Sequence, residues 1–178
     1  MANKDAKTLT ILGIDPGLAS VGIGVIRHDG NTNELVHMGD VKTTRAWDLA
    51  RRLKHIHDSI RDIAREFRPD CAAIEKIYFA KNVKTAVDVA QGRGVAILAT
   101  ADEGIELFEY TPLQIKQAVA GYGRAGKEQM LRMVRVLLNM DAPPKSDHVA
   151  DALAAAICHT HHLHLNRMLA ATKAAGRK

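Results

Sequence analysis

The order of its segments constrains this chain most. Three strand-like runs come first, joined by short turns. The stretch "LTILGID" (Leu9–Asp15) reads as a buried strand that ends at an acid, and the "PG" after it marks a turn. "SVGIGVIRH" (Ser20–His28) reads as a second strand. Its Gly22 and Gly24 fall on one face, which predicts close packing there. "DGN" is a hairpin signal, and "ELVHMGDVKT" returns as a third strand, so the start is an antiparallel meander. Leu49, Leu53, Ile56, Ile60, Ile63 and Phe67 then recur at helical spacing until "RPD" breaks the pattern. "CAAIEKI" is a short strand carrying Glu75. A long helix is predicted from Asn82 to Glu103; Gly92 and Gly94 inside it cost about 1 kcal/mol each against alanine and so predict close helix packing. "IELFEYT" is a fifth strand. A short helix opens at Pro112, "GYGRAG" is a loop, "KEQMLRMVRVLLN" is a helix, and a last helix starts near Asp147. Alternation after a meander predicts an α/β or α+β sandwich with a mixed sheet.

The 178 residues suit one domain, residues 1–178, with tails expected over 1–8 and from about 166 onward. No apolar run is long enough for a membrane span, and "MANKDAKTLT" lacks the apolar core of a secretion signal, so a cytoplasmic protein is expected. Cys71 and Cys158 are too few for a disulfide framework or a zinc site and read as small buried residues. A net charge of +5 permits nucleic-acid binding without requiring it. His159, His161, His162 and His164 read as a solvated helix end.

The chemistry points to acids at element ends. Asp15 closes the first strand, Glu75 lies on a later one, and Asp151 lies on the last helix. Ligands of α/β sheets collect beyond the carboxyl ends of strands. Two carboxylates ~4 Å apart repel by roughly 4 kcal/mol at an effective dielectric of 20, so a converging set needs a proton or a cation. Oxygen donors without thiolates suit Mg²⁺ or Mn²⁺, and two such ions clamp the oxygens of a phosphodiester. Metal-dependent phosphodiester hydrolysis is the resulting expectation. In "KSDHVADALAAA", Asp147 stands i−4 and His148 i−3 from Asp151. Both spacings share a helix face, so periodicity leaves open which of them works with Asp151.

The ordered set "ILGIDPG", "AAIEKIYFAKN", "QGRGVAI", "FEYTPLQIKQAVAGYGRAGKEQM" and "DHVADALAAAICH" resembles the RuvC family of Holliday-junction resolvases over residues 9–162. The resemblance implies a ribonuclease-H-like mixed five-stranded sheet flanked by helices, and a homodimer with divalent metal (Mg²⁺ or Mn²⁺, two ions per site). It also implies symmetric nicking of four-way junction DNA in recombination and repair, alongside the RuvA–RuvB branch-migration machine. By position it makes Asp15, Glu75, His148 and Asp151 the catalytic metal-site residues. Asp147, one residue outside the pattern, is left as a cap or a dipole-matched acid. His148 would sit at the positive end of the helix, which disfavours imidazolium. Lys116 and Lys127 match two basic positions of the family. Tyr78 is implied as a ring that stacks on an unpaired base. Lys81, Asn82 and Lys84 would contact phosphates, and Arg93 would also reach DNA.

Two other classes fit less well. An actin-like ATPase would need a second glycine-rich phosphate turn and a longer chain. A non-catalytic junction-binding module would be expected to lack at least one acid, yet every matched position holds a plausible ligand.

Overall fold

The computed structural model describes the backbone of residues 8–76 and 83–175, and side chains for residues 8–76 and 86–163. In chain order the elements are β1 (Leu9–Asp15), β2 (Ser20–His28), β3 (Asn33–Lys42), α1 (Leu49–Phe67), β4 (Cys71–Glu75) and α2 (Val83–Asp102). They continue with β5 (Glu106–Tyr110), α3 (Pro112–Ala120), α4 (Lys127–Leu137) and α5 (Asp147–Ala175). The five strands form one mixed sheet in the order β3-β2-β1-β4-β5. The meander pairs antiparallel, and β4 and β5 add parallel to β1. The carboxyl ends of β1, β4, β5 and β3 therefore share one end of the sheet.

Strand pleating divides the core in two. Ile11, Cys71, Ala73 and Tyr110 face α3, α4 and α5, where they meet Ile115, Val134, Leu153 and Ile157. Leu12, Ile14, Val21, Ile23 and Ile74 face the other way, onto Ile56 and Ile60 of α1 and onto Ala96 and Ala99 of α2. Asp15 and Glu75, at odd positions, continue the face covered by α5.

Glycines set the height of α5. A Cβ on Gly22 would lie 2.0 Å from the His148 carbonyl oxygen, one on Gly13 1.9 Å from that of Ala152, and one on Gly24 2.5 Å from Leu153 Cδ2. The helix thus rests directly on the backbone of β1 and β2, as the Gly22/Gly24 pattern predicts. On the opposite face, Gly92 of α2 abuts the Gly17 carbonyl, 2.7 Å from where its Cβ would stand. Gly94 differs from expectation: nothing lies within 4 Å of its Cβ position, because it faces away from the sheet.

Leu49, the first residue of α1, is 44% exposed, while Ile56 and Ile60 of the same series are fully buried. The backbone of α5 is helical from Asp147 to Ala175. His159 is not at a solvated end: it is 2% exposed, stacks near Phe108, and its Nδ1 shares a 2.6 Å hydrogen bond with the Tyr110 hydroxyl. Burial holds its pKa down to about 4. Cys71 and Cys158 are buried free thiols, as expected.

Candidate active site

Asp15 leaves the end of β1 directly opposite Gly22 of β2. Because Gly22 carries no side chain, the first turn of α5 descends onto it and brings His148 to Asp15. The contact is a hydrogen bond of 2.6 Å between His148 Nδ1 and Asp15 Oδ2, with side chains 51% and 18% exposed. Asp151 follows one turn later. Glu75 arrives from β4, beside β1. The four residues singled out by the sequence therefore come together at one end of the sheet.

Their electrostatics follow from that crowding. Glu75 is pushed up to about 7, first by burial and then by the charges of Asp151 and Asp15, with Lys116 pulling the other way. Asp151 is pushed up to about 6 by burial and by Asp15, offset in part by His148. Burial also raises Asp15, against the hydrogen bond from His148. Asp15 raises both Glu75 and Asp151, and Asp151 raises Glu75, so the acids form a site short of positive charge.

A cleft of about 250 Å³ opens beside them, lined by Glu75 and Asp151 and by both Lys116 and Lys127. The two lysines thus stand at the acids, one on α3 and the other at the start of α4. Lys127 Nζ also donates to the Asp147 carboxylate. Asp147 is therefore a partner of a site lysine, in addition to being the first acid of the helix. A larger cavity of about 850 Å³ lies between β3 and the α4–α5 linker and is lined by none of the four matched residues.

Arg93 is tied into the end of the sheet. Its Nη1 donates to the Glu75 backbone carbonyl at 2.7 Å, its Nη2 donates to the Glu109 carboxylate, and its side chain is 13% exposed. It clamps the end of β4, and so the backbone of Glu75, to α2 and β5. Tyr78, Lys81 and Asn82 lie outside the described residues, as does the side chain of Lys84.

Sequence reading missed Asp40. It faces Gly22 across the sheet, accepts hydrogen bonds from Ser20 Oγ at 3.2 Å and Ser146 Oγ at 2.8 Å, and adds a second negative charge near Asp15. It ties β2 and β3 to the residue just before α5. The available signal was its position: an acid near the end of a strand, like Asp15.

The donor set, three carboxylates and one imidazole, suits a hard or borderline divalent cation. Among the described residues no three such groups are already drawn to one point as ligands. Asp15 and His148 are hydrogen-bonded to each other instead, as expected where repulsion among the acids is relieved by a nearby imidazole.

Comparison with known proteins agrees. The family model for crossover junction endodeoxyribonuclease RuvC matches residues 11–159. A crossover junction endodeoxyribonuclease RuvC of Halothermothrix orenii is 50% identical over 159 residues, 89% of this chain and 96% of that protein. One from Rubrobacter xylanophilus is 47% identical over 162 residues, 91% of this chain and 89% of that protein. The structure of Thermus thermophilus RuvC in complex with Holliday junction substrate superposes with a TM-score of 0.85 at 33% identity, covering 89% of this chain and 96% of the other. The yeast mitochondrial Holliday junction resolvase shares the fold alone, with a TM-score of 0.60 at 11% identity, over 84% of this chain and 77% of the other. With its ribonuclease-H-like sheet, its three acids and histidine in place, and this breadth of similarity, the chain belongs to the RuvC family of crossover junction endodeoxyribonucleases.

Proposed function

We propose that this chain is a metal-dependent endonuclease that resolves four-way DNA junctions by paired, symmetric nicks in recombination and repair. The observation that carries the reading is the meeting of Asp15, Glu75, His148 and Asp151 at one end of the sheet, with Lys116 and Lys127 lining the cleft beside Glu75 and Asp151, where burial and neighbouring acids push Glu75 and Asp151 up. Two bound Mg²⁺ or Mn²⁺ ions would supply Lewis-acid stabilisation to the attacking and leaving oxygens of the phosphodiester. Asp15, Glu75, His148 and Asp151 would hold them. Lys116 and Lys127 set positive charge on the cleft wall, where it steadies a phosphate whose charge grows during displacement. With His148 Nδ1 directed at Asp15, Nε2 is the atom left either to ligate or to take a proton from the attacking water.

Paired nicks require two sites related by a two-fold axis. On α2, Val87, Gly94 and Leu98 lie at i, i+7 and i+11, on the face away from the sheet, with Val87 51% and Leu98 55% exposed. This stripe is the homodimer face we assign. No described helix is long and apolar enough to cross a membrane. A cytoplasmic enzyme handing over from RuvA–RuvB, with Tyr78, Lys81, Asn82 and Lys84 on the DNA, completes the reading.

The test is a labelled four-way junction with and without Mg²⁺ or Mn²⁺. Asp15→Asn and His148→Ala should bind the junction and fail to cut it. Asp147→Ala should cut, with a stability loss below ~1 kcal/mol, since the ion pair it removes is exposed. Metal-independent cutting, or a dead Asp147→Ala beside an active His148→Ala, defeats the assignment.

A further inference from the structure

A second feature at this end of the sheet is not used by the site. Between β3 and α1 the chain turns through residues 43–48, and from 42 to 54 it carries Lys42, Arg45, Arg51, Arg52 and Lys54 against a single acid, Asp48. The Asp48 carboxylate is occupied as the cap of α1, accepting from the Arg51 backbone N–H at 2.8 Å. Arg52 Nε donates to Thr43 Oγ1, and Lys54 pairs with Asp58. Lys42 and Arg45 are exposed, and neither has an acidic partner among the described residues. The Arg51 guanidinium stacks 4.5 Å over the ring of Trp47, which holds both flat groups in place. Leu49 beside them is 44% exposed.

The elbow is rigidly tied to the active-site turn. Thr43 donates from Oγ1 to the Leu18 carbonyl at 2.6 Å and from its backbone N–H to the Ala19 carbonyl at 3.0 Å. Its distance from the chemistry follows from the register. Asp15, Gly22 and Asp40 face one another across β1, β2 and β3. Lys42 lies two residues beyond Asp40 on the same sheet face. Strands ~4.8 Å apart and a rise of ~3.4 Å per residue put its Cα ~12 Å from that of Asp15. Along a duplex that is roughly three to four base steps. Asp40, the one acid between, already accepts two hydroxyl hydrogen bonds.

We propose that the β3–α1 elbow is a second DNA-gripping surface. Lys42 and Arg45 hold backbone phosphates three to four steps from the phosphate at Asp15, and the Trp47–Arg51 stack lies against the same strand. The chemistry is that of phosphate recognition: unpaired cations on a preorganised turn, with a flat apolar and cationic surface beside them. Lys116 and Lys127 would grip one side of the cut and the elbow the other, so the sheet end forms a continuous basic track through an acidic centre. This extends the endonuclease reading and rests on it.

Trp47 is the only tryptophan in the chain, so it reports on its own site. A four-way junction is titrated without divalent metal, and anisotropy of the labelled junction and tryptophan emission are read together over a range of salt. The wild-type protein should bind with quenching of Trp47. Lys42→Ala/Arg45→Ala should bind about tenfold or more weakly at low salt, with the log–log salt slope reduced by roughly 1.8, about 0.9 per lost phosphate contact. Lys42→Arg should keep both slope and quenching. If the wild-type protein binds but its Trp47 emission is unchanged at saturation, or if the double variant keeps the wild-type slope, the elbow is overturned and the endonuclease reading stands. If the wild-type protein does not bind junctions, the endonuclease reading itself falls.

Discussion

Replacing Gly22 by alanine tests whether the seating of α5 on β2 builds the active site. The added Cβ would stand 2.0 Å from the His148 carbonyl oxygen and 2.2 Å from its carbonyl carbon, where ordinary contact begins at 3.4 Å. Both atoms are backbone, so no rotamer change relieves the clash. The first turn of α5 must withdraw by about 1.4 Å, or β2 must sink into a core of fully buried Val21 and Ile23. Withdrawal carries His148 out of hydrogen-bond range of Asp15, whose contact is now 2.6 Å. Overpacking of this kind costs about 1–3 kcal/mol of stability, and a displacement near 1 Å at a reacting centre costs ~100-fold in rate. The assay is single-turnover cutting of a junction at saturating protein, well below the melting temperature of the variant, with a thermal melt beside it. Gly39→Ala is the control, because its Cβ would meet only His37 Nε2, at an ordinary 3.6 Å. Gly22→Ala should cut about 100-fold more slowly while still folded, and Gly39→Ala should match the wild type. Wild-type cutting and stability in Gly22→Ala would refute the claim that this glycine places His148.

Two further outcomes follow from buried groups. Arg93→Ala removes the bonds to the Glu75 carbonyl and to Glu109; it should cost about 1–3 kcal/mol of stability and slow cutting, but leave the salt slope of junction binding unchanged. A slope lower by roughly 0.9 would instead make Arg93 a phosphate contact. His159 has a folded pKa of about 4 against an ordinary 6.5, so the unfolded chain binds its proton first as pH falls. Its contribution is fully present above pH ~6.5 and is lost as pH falls from there towards ~4, a change on the order of 2 kcal/mol by pH 4.5. Urea unfolding near pH 7 and near pH 4.5 should show His159→Gln losing less stability than the wild type over that interval; equal losses would count against the buried neutral imidazole.

The fold was legible because its signals are local. The apolar run ending at Asp15, the turn at Pro16–Gly17, the helical period of Ile56 and Ile60, and Pro112 at the start of α3 each act within a few residues. The acids were legible for a related reason: each closes a strand or opens a helix, and topology sends those ends to one place. Asp40 and Arg93 were not legible in the same way. Asp40 works through hydroxyls 20 and 106 residues distant, and Arg93 through a carbonyl 18 residues back. Glycine illustrates the same limit. Gly92 and Gly94 carry the same local cost in a helix, yet only Gly92 meets a neighbouring backbone, because tertiary orientation decides which face needs the missing Cβ.

The first turn of α5 shows how the ambiguity between Asp147 and His148 is settled physically. Both are within one turn of Asp151, and helical period allows either to share its face. What separates them is what lies beneath. His148 sits where its own carbonyl presses on Gly22, and Gly22 is the register partner of Asp15, so the ring at 148 must meet the carboxylate at 15. Asp147 is turned about 100° away around the helix, towards the start of α4, and finds Lys127. An acid at 148 would have added a fourth carboxylate to a site where Glu75 and Asp151 already sit well above the usual carboxylate range. The histidine lowers that repulsion before any cation binds, because its Nδ1 donates to Asp15 whether or not the ring is charged. His148→Asp should therefore fold less stably than the wild type without metal and recover more of that loss when Mg²⁺ is added. Melting temperatures with and without the ion measure both quantities. A metal-free His148→Asp as stable as the wild type would mean that the imidazole does not relieve the acids, and that Asp15 is held by burial and its backbone alone.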